Sequence, residues 1–173
     1  MTQGTLRRIE VRSAAGNRQR GWLKAGPLTI AVALGRGGIL ANKREGDGGT
    51  PRGRFRLLRL WFRPDRGGRP PTLLPVRRIS RHDAWCEDPA DRRYNRPIMA
   101  DGGDRLWRED ALYDLVIEID HNARPRIAGR GSAVFIHVAR PGLTPTAGCV
   151  ALAKPTLRRL LGWLGPTTRV SIR

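Results

Sequence analysis

A histidine and a cysteine stand twelve positions apart near the C-terminal end of this 173-residue chain, His137 late in the apolar run Ala133–Ala139 and Cys149 in a Gly-Cys pair. A free thiol has a pKa of about 8.5 and is barely ionised at neutral pH, so a cysteine that attacks a carbonyl needs a base or a positive field beside it. An imidazole supplies both, taking the proton and then standing as imidazolium next to the thiolate. Between the two residues PGLTPTAG turns the chain, and Ala147-Gly148-Cys149 offers uncovered backbone N–H groups for a developing oxyanion. Losing one such donor typically costs about 10²- to 10³-fold in rate. The same residues also read as a satisfied core histidine and a small buried thiol; spacing by itself does not choose.

Other candidates are weaker. Cys86 in DAWCEDP has Asp83, Glu87 and Asp88 as neighbours, which would raise a thiol pKa, so Cys149 is the better nucleophile and both cysteines are expected to be free. His82, His121 and His137 show no CxxC or HxxxH spacing with the cysteines or one another, so neither a metal nor a cofactor is expected. The stretch NKREGDGGTPRGRF (42–55) lacks the GKS or GKT of a phosphate-binding loop and reads as a surface turn outside the core.

The elements that must position these residues are mostly strands. With 21 Gly and 13 Pro the chain favours strands and turns over long helices. Leu6–Val11 is an imperfectly alternating strand, and 21–24 with 28–34 reads as a hairpin about Ala25-Gly26-Pro27. Phe55–Phe62 reads as an edge or half-exposed strand, 63–75 as a Pro/Gly-rich loop, and 76–110 as an irregular ordered loop over the core, held by Trp85, Tyr94 and Trp107. Tyr113–Asp120 and Ala133–Ala139 are strands, and Arg169–Ile172 closes the chain. Leu157, Leu160, Leu161 and Leu164 in Pro155–Leu164 mark one amphipathic helix with Pro at its first position. A single domain over 1–173 is expected.

The formal charge is +18, from 33 Lys plus Arg against 15 Asp plus Glu, and calls for an anionic partner. Nucleic acid, acidic polysaccharide, phospholipid head groups and polycarboxylate substrates all satisfy it. LTIAVAL (28–34), the longest apolar stretch, is too short to span a bilayer, and MTQGTLRRIEVRS has no apolar signal-peptide core, so the default compartment is the cytoplasm.

Several stretches together resemble the L,D-transpeptidase catalytic domain of the YkuD-like family: His137, then Thr146-Ala147-Gly148-Cys149-Val150; Thr50, Pro51, Gly53 and Phe55 upstream; and the terminal LRRLLGWLGPTTRVSI. The resemblance runs from about residue 28 to the end, and WCEDPADRRYNRPI, LWRED and FIHVARPGLTPTAGCVAL are similar to a compact proteobacterial branch. It implies a mainly β fold, a β-sandwich of mixed sheets with one helix in the C-terminal region and long irregular loops. It also implies a peptidoglycan transpeptidase in the periplasm, acting on anionic stem peptides. Cys149 would be the acylated nucleophile, His137 its base and the Val138 carbonyl the group orienting the imidazole. Thr146, Ala147, Gly148 and Cys149 would shape the oxyanion pocket, and Tyr94, Asn95, Arg96 and Trp107 would line the cleft.

The match has departures. The gap from His137 to Cys149 is shorter than usual, Ala147 stands where many members have a second histidine, and Val150-Ala151 replaces a pattern with Arg two places after the cysteine. Arg140 is the candidate carboxylate clamp, since guanidinium binds carboxylate bidentately. The implied thioester would pass to a diaminopimelate side-chain amine, with loss to water or a free D-amino acid as side reactions. The wider family commonly forms 3-3 cross-links, whereas the compact branch resembles enzymes that join L-Ala to diaminopimelate (1-3); together with the altered pocket, the resemblance implies 1-3 over 3-3. A monomer is expected. The rival readings are a basic nucleic-acid-binding module, against which stands the lack of a recognition helix or aromatic RNA motif, and a non-catalytic envelope scaffold.

Overall fold

The computed structural model describes residues 4–99 and 102–173. Residues 1–3 of the N-terminal segment and 100–101 of the irregular middle lie outside the described residues.

Three strands open the chain as a meander: β1 (Arg8–Ala14), β2 (Asn17–Ala25) and β3 (Leu28–Ala33). The turn at Gly26, with φ 57°, joins β2 to β3 where the hairpin was expected. Two short pieces, β4 (Ile39–Leu40) and β5 (Thr50–Pro51), bracket the glycine-rich stretch and pair in parallel. The long β6 (Gly53–Phe62) follows, then β7 (Val76–Arg78), β8 (Asp83–Trp85), β9 (Pro97–Met99) and β10 (Asp104–Arg105). The last stretch carries β11 (Leu115–Ile119), β12 (Phe135–Val138), β13 (Val150–Leu152), α1 (Lys154–Leu161) and β14 (Arg169–Ile172).

The main sheet runs β11-β12-β13-β3-β2-β1-β14-β6-β7, and a further pairing of β11 with β6 closes it on itself. The fold is therefore mainly β, with a single α-helix among the described residues and strands both parallel and antiparallel. Within the closed sheet Ile9, Val11, Leu23, Val32, Leu60, Ile117 and Ile136 pack with Leu157, Leu160, Leu161 and Leu164, all fully buried. The four leucines at helical spacing thus face the core; the helix ends at Leu161, and the Gly162 amide bonds back to the Arg159 carbonyl.

Two expectations are corrected. The strand read from Phe55 to Phe62 is no edge: β6 pairs with β14 through Gly53–Arg56, with β11 through Leu57–Phe62, and with β7 on its other side. Its basic side chains at Arg54 and Arg56 are exposed while its C-terminal half is covered on both faces. The irregular middle segment carries β7 and the small sheet β10-β8-β9, and it covers the outer face of β6, β11 and β12. A second apolar cluster forms there from Trp61, Ile79, Trp85, Leu106, Val116 and Phe135. Both faces of β11 are covered, so all five of its residues are buried, Glu118 included, although the sequence pattern there reads as an alternating strand.

Candidate active site

β12 and β13 are adjacent and parallel, with Ile136 opposite Val150 and His137 opposite Ala151. Strand alternation sends Ile136, Val138, Val150 and Leu152 into the closed sheet. Phe135, His137, Cys149 and Ala151 are left on the outer face, where Cys149 joins the second cluster. Two residue types twelve positions apart therefore share one face because a loop returns the chain in parallel.

That loop is tied down. Thr146 bonds through its amide to the Leu34 carbonyl and through its carbonyl to the Arg36 amide, both at 2.9 Å, and Arg20 donates to the Gly142 carbonyl at 2.6 Å. The Thr146 hydroxyl donates to the Cys149 carbonyl at 2.6 Å and accepts the Gly148 amide at 3.1 Å, folding the turn that presents the cysteine. Gly148 has φ 147°, and a Cβ there would meet the Gly49 carbonyl. The stretch expected as a surface turn is thus partly interior: Lys43 and Gly48 to Pro51 are buried. Glycines pack where side chains would not fit, and the Lys43 ammonium is held by Asp47 at 2.8 Å.

The thiol and the imidazole each have backbone partners. Cys149 Sγ–H donates to the Ala133 carbonyl at 3.2 Å, and Sγ accepts the Phe135 amide at 3.3 Å. Ala133 is in the left-handed region at φ 49°, and its amide is held by Asn95 Oδ1 at 3.2 Å. His137 Nδ1 lies 2.8 Å from the Val138 carbonyl. A carbonyl only accepts, so Nδ1 carries the proton and Nε2 of the neutral ring is the basic nitrogen. Burial pushes His137 down to about 4 against the pull of the Val138 carbonyl, and pushes the Cys149 thiol up to about 12. The resting pair is therefore thiol and neutral imidazole. Edge-to-face contacts run under the site from Trp61 to Trp85, Phe135, Tyr113 and His137, with centroids 5.0 to 6.3 Å apart.

Cys149, His137, Arg140, Thr146, Ala147 and Gly148 all line one cavity of about 400 Å³. Arg140 is exposed and only 4.0 Å from Asp110, whose carboxylate Arg108 already holds at 2.8 Å. The remaining expected cleft residues do not line this cavity. Tyr94 is buried, its hydroxyl donating to Glu45 and accepting the Gly131 amide at 3.0 Å. Asn95 is a buried rivet, taking Trp85 Nε1 at 2.9 Å and giving hydrogen bonds to the His121 and Asn122 carbonyls. Arg96 is exposed elsewhere, and Trp107 is stacked under Arg63 and Arg81. Sequence reasoning missed Arg36, Lys43, Glu45, Glu87 and Asp104, which also line the cavity. KREGDGGTPRGRF was the available signal, since it carries Lys43 and Glu45; nothing local marks the others. Among the described residues no group of three or more His, Cys, Asp or Glu is placed to hold a metal.

The YkuD family model, described as the L,D-transpeptidase catalytic domain, matches residues 7–172. No curated protein and no solved structure matches the chain.

Proposed function

Since the chain belongs to the YkuD family of L,D-transpeptidase catalytic domains, we propose that its acyl transfer runs through Cys149, with His137 as base. Acyl transfer on peptidoglycan stem peptides is the family's chemistry. The observation that carries the assignment is that the imidazole on β12 and the thiol just before the parallel neighbour β13 line one cavity with the Gly148 turn. Residues 1–173 are read as one catalytic domain acting in the periplasm.

Neither partner is charged at rest, so the proton moves during attack and not before it. Cys149 turns its S–H from the Ala133 carbonyl to His137 Nε2 as a stem-peptide carbonyl enters. Sulfur attacks the carbonyl carbon, the proton passes to Nε2, and the imidazolium is steadied through Nδ1–H by Val138. The tetrahedral intermediate collapses, the leaving amine takes the proton from His137, and a thioester remains on Cys149. A diaminopimelate side-chain amine then attacks the thioester, His137 takes its proton and returns it to the departing sulfur.

The Gly148 amide is spent on Thr146, so the amides of Ala147 and Cys149 are assigned to the oxyanion. Lys43 adds a positive charge beside the turn: its field favours the thiolate, and a Cβ on Gly148 would come within 3.3 Å of its Nζ. Arg140 is assigned to a stem carboxylate, and Arg36 also lines the cavity. The short loop between His137 and Cys149 and Ala147 in place of a second histidine support the 1-3 linkage as the product. Incubation with purified muropeptides and fragmentation of the products tests this: an L-Ala to diaminopimelate bond is expected, a 3-3 bond overturns the linkage, and no new bond overturns the transferase.

A further inference from the structure

The outer face of β1, β14 and β6 carries arginines in direct register. Arg8 is opposite Arg169, and Arg169 is opposite Arg56. Strands lie about 4.8 Å apart, and like charges directly opposite one another destabilise a sheet. Among the described residues neither Arg8 nor Arg169 has a carboxylate partner, and Arg56 reaches Asp120 only at 4.0 Å. A stability-lowering ladder of this kind points to an anion that covers it.

The ladder ends at a cavity separate from that of Cys149. Arg56, Arg59, Arg124 and Arg126 line this second cavity of about 600 Å³, with Trp85, Phe135 and Leu58 as its apolar surface. Glu118 and Asp120 are the acids in its wall; Glu118 is already taken by Trp61 Nε1 at 2.9 Å and Arg59 at 3.1 Å. The positive charges crowd one another: burial, Arg96 and Arg124 all lower the Arg126 guanidinium. Val134 lines both cavities, so the two are neighbours in the fold.

We propose that the arginine ladder and this second cavity form a docking site for a carboxylate-rich peptide, a second stem of the polymer whose first stem reacts at Cys149. The guanidinium groups suit the carboxylates of such a peptide, the apolar surface its alkyl side chains and the wall carboxylates Glu118 and Asp120 its amine; a uniform polyphosphate has neither an alkyl group nor an amine to place there. The site rests on the transpeptidase reading only for the identity of the polymer.

The test is co-sedimentation of the full chain with insoluble peptidoglycan, alongside turnover of a soluble single-stem muropeptide. The variant Arg56→Glu/Arg124→Glu changes exposed side chains outside the Cys149 cavity, and Arg169→Glu probes the ladder alone; circular dichroism verifies folding. Sedimentation should weaken about tenfold or more in the first variant, measurably in the second, and fall with rising salt, while soluble turnover stays within about twofold. Unchanged sedimentation overturns the site, as does an equal loss of soluble turnover. Stronger displacement by inorganic phosphate or single-stranded DNA than by poly-glutamate overturns the carboxylate assignment. Arginine-dependent sedimentation by a wild-type chain that makes no new bond supports the docking site and removes the catalytic reading.

Discussion

The carbonyl oxygen of Gly49 lies 2.7 Å from where a Cβ on Gly148 would stand, so the backbone before Cys149 is sealed against the glycine-rich turn. The obstacle is backbone, which cannot swing aside, and φ at Gly148 is 147°. Gly148→Ala should lose about 1–3 kcal/mol of stability. Acyl transfer should fall at least about tenfold, since displacing the turn moves the assigned oxyanion amides. Thermal unfolding and turnover on one preparation verify both.

The buried pair should contribute a loss of stability on both sides of neutrality. As pH drops through about 6.5 the unfolded chain protonates His137 while the folded chain resists to about 4, so the folded state loses ground between them. As pH rises past about 9 the unfolded chain ionises Cys149 while the folded chain holds its proton to about 12, which again favours unfolding. Each one-proton difference tilts stability by about 1.4 kcal/mol per pH unit inside its window. Urea unfolding from pH 4 to 10 should show the alkaline slope reduced in Cys149→Ala and the acid slope reduced in His137→Gln.

Asn95 should matter for stability more than for substrate. Its side chain satisfies Trp85 Nε1 and the Ala133 amide, both buried, and Ala133 in turn accepts the Cys149 thiol proton. Asn95→Ala should cost about 2–4 kcal/mol because those donors are left unpaired, and Asn95→Asp a comparable amount, because its second oxygen would face the His121 and Asn122 carbonyls without a proton to give them. Denaturant titration measures the loss, and KM of the folded fraction should be unchanged.

Arg140 is the converse case. It is exposed and only loosely held, so Arg140→Ala should change stability by less than about 0.5 kcal/mol. KM for a stem carrying its carboxylate should rise about tenfold, and Arg140→Lys should restore only part of it, because an ammonium lacks the bidentate fork. Steady-state kinetics with and without that carboxylate separates the two contributions.

How far the fold could be read in advance follows from which forces are local. The β2–β3 hairpin, the leucine spacing about α1, the β-branched residues of β11 and the closing Arg169–Ile172 strand are local patterns, and they lie where expected. Alternating Arg54 and Arg56 do mark an exposed face, but nothing local shows that β6 pairs with three strands or that β11 closes the sheet. Burial of Lys43 and its glycines could not be inferred from composition, since a lysine goes inside only with a partner such as Asp47 and glycines only where backbone meets backbone. At the site, His137 and Cys149 were visible as a pair because both lie within one strand-loop-strand unit. Tyr94, Asn95 and Trp107 were misplaced for the opposite reason: an aromatic or amide residue in an irregular segment looks the same whether it faces a ligand or, as Asn95 does, fastens the segment to the strand beneath.

Intact-mass measurement after incubation with a carbapenem, an acylating probe of the nucleophile, tests the central claim most directly. One covalent adduct should form on the wild-type chain, map to Cys149 on digestion, and vanish in Cys149→Ala. An adduct retained in Cys149→Ala, or no adduct on the wild type, would contradict acyl transfer through Cys149.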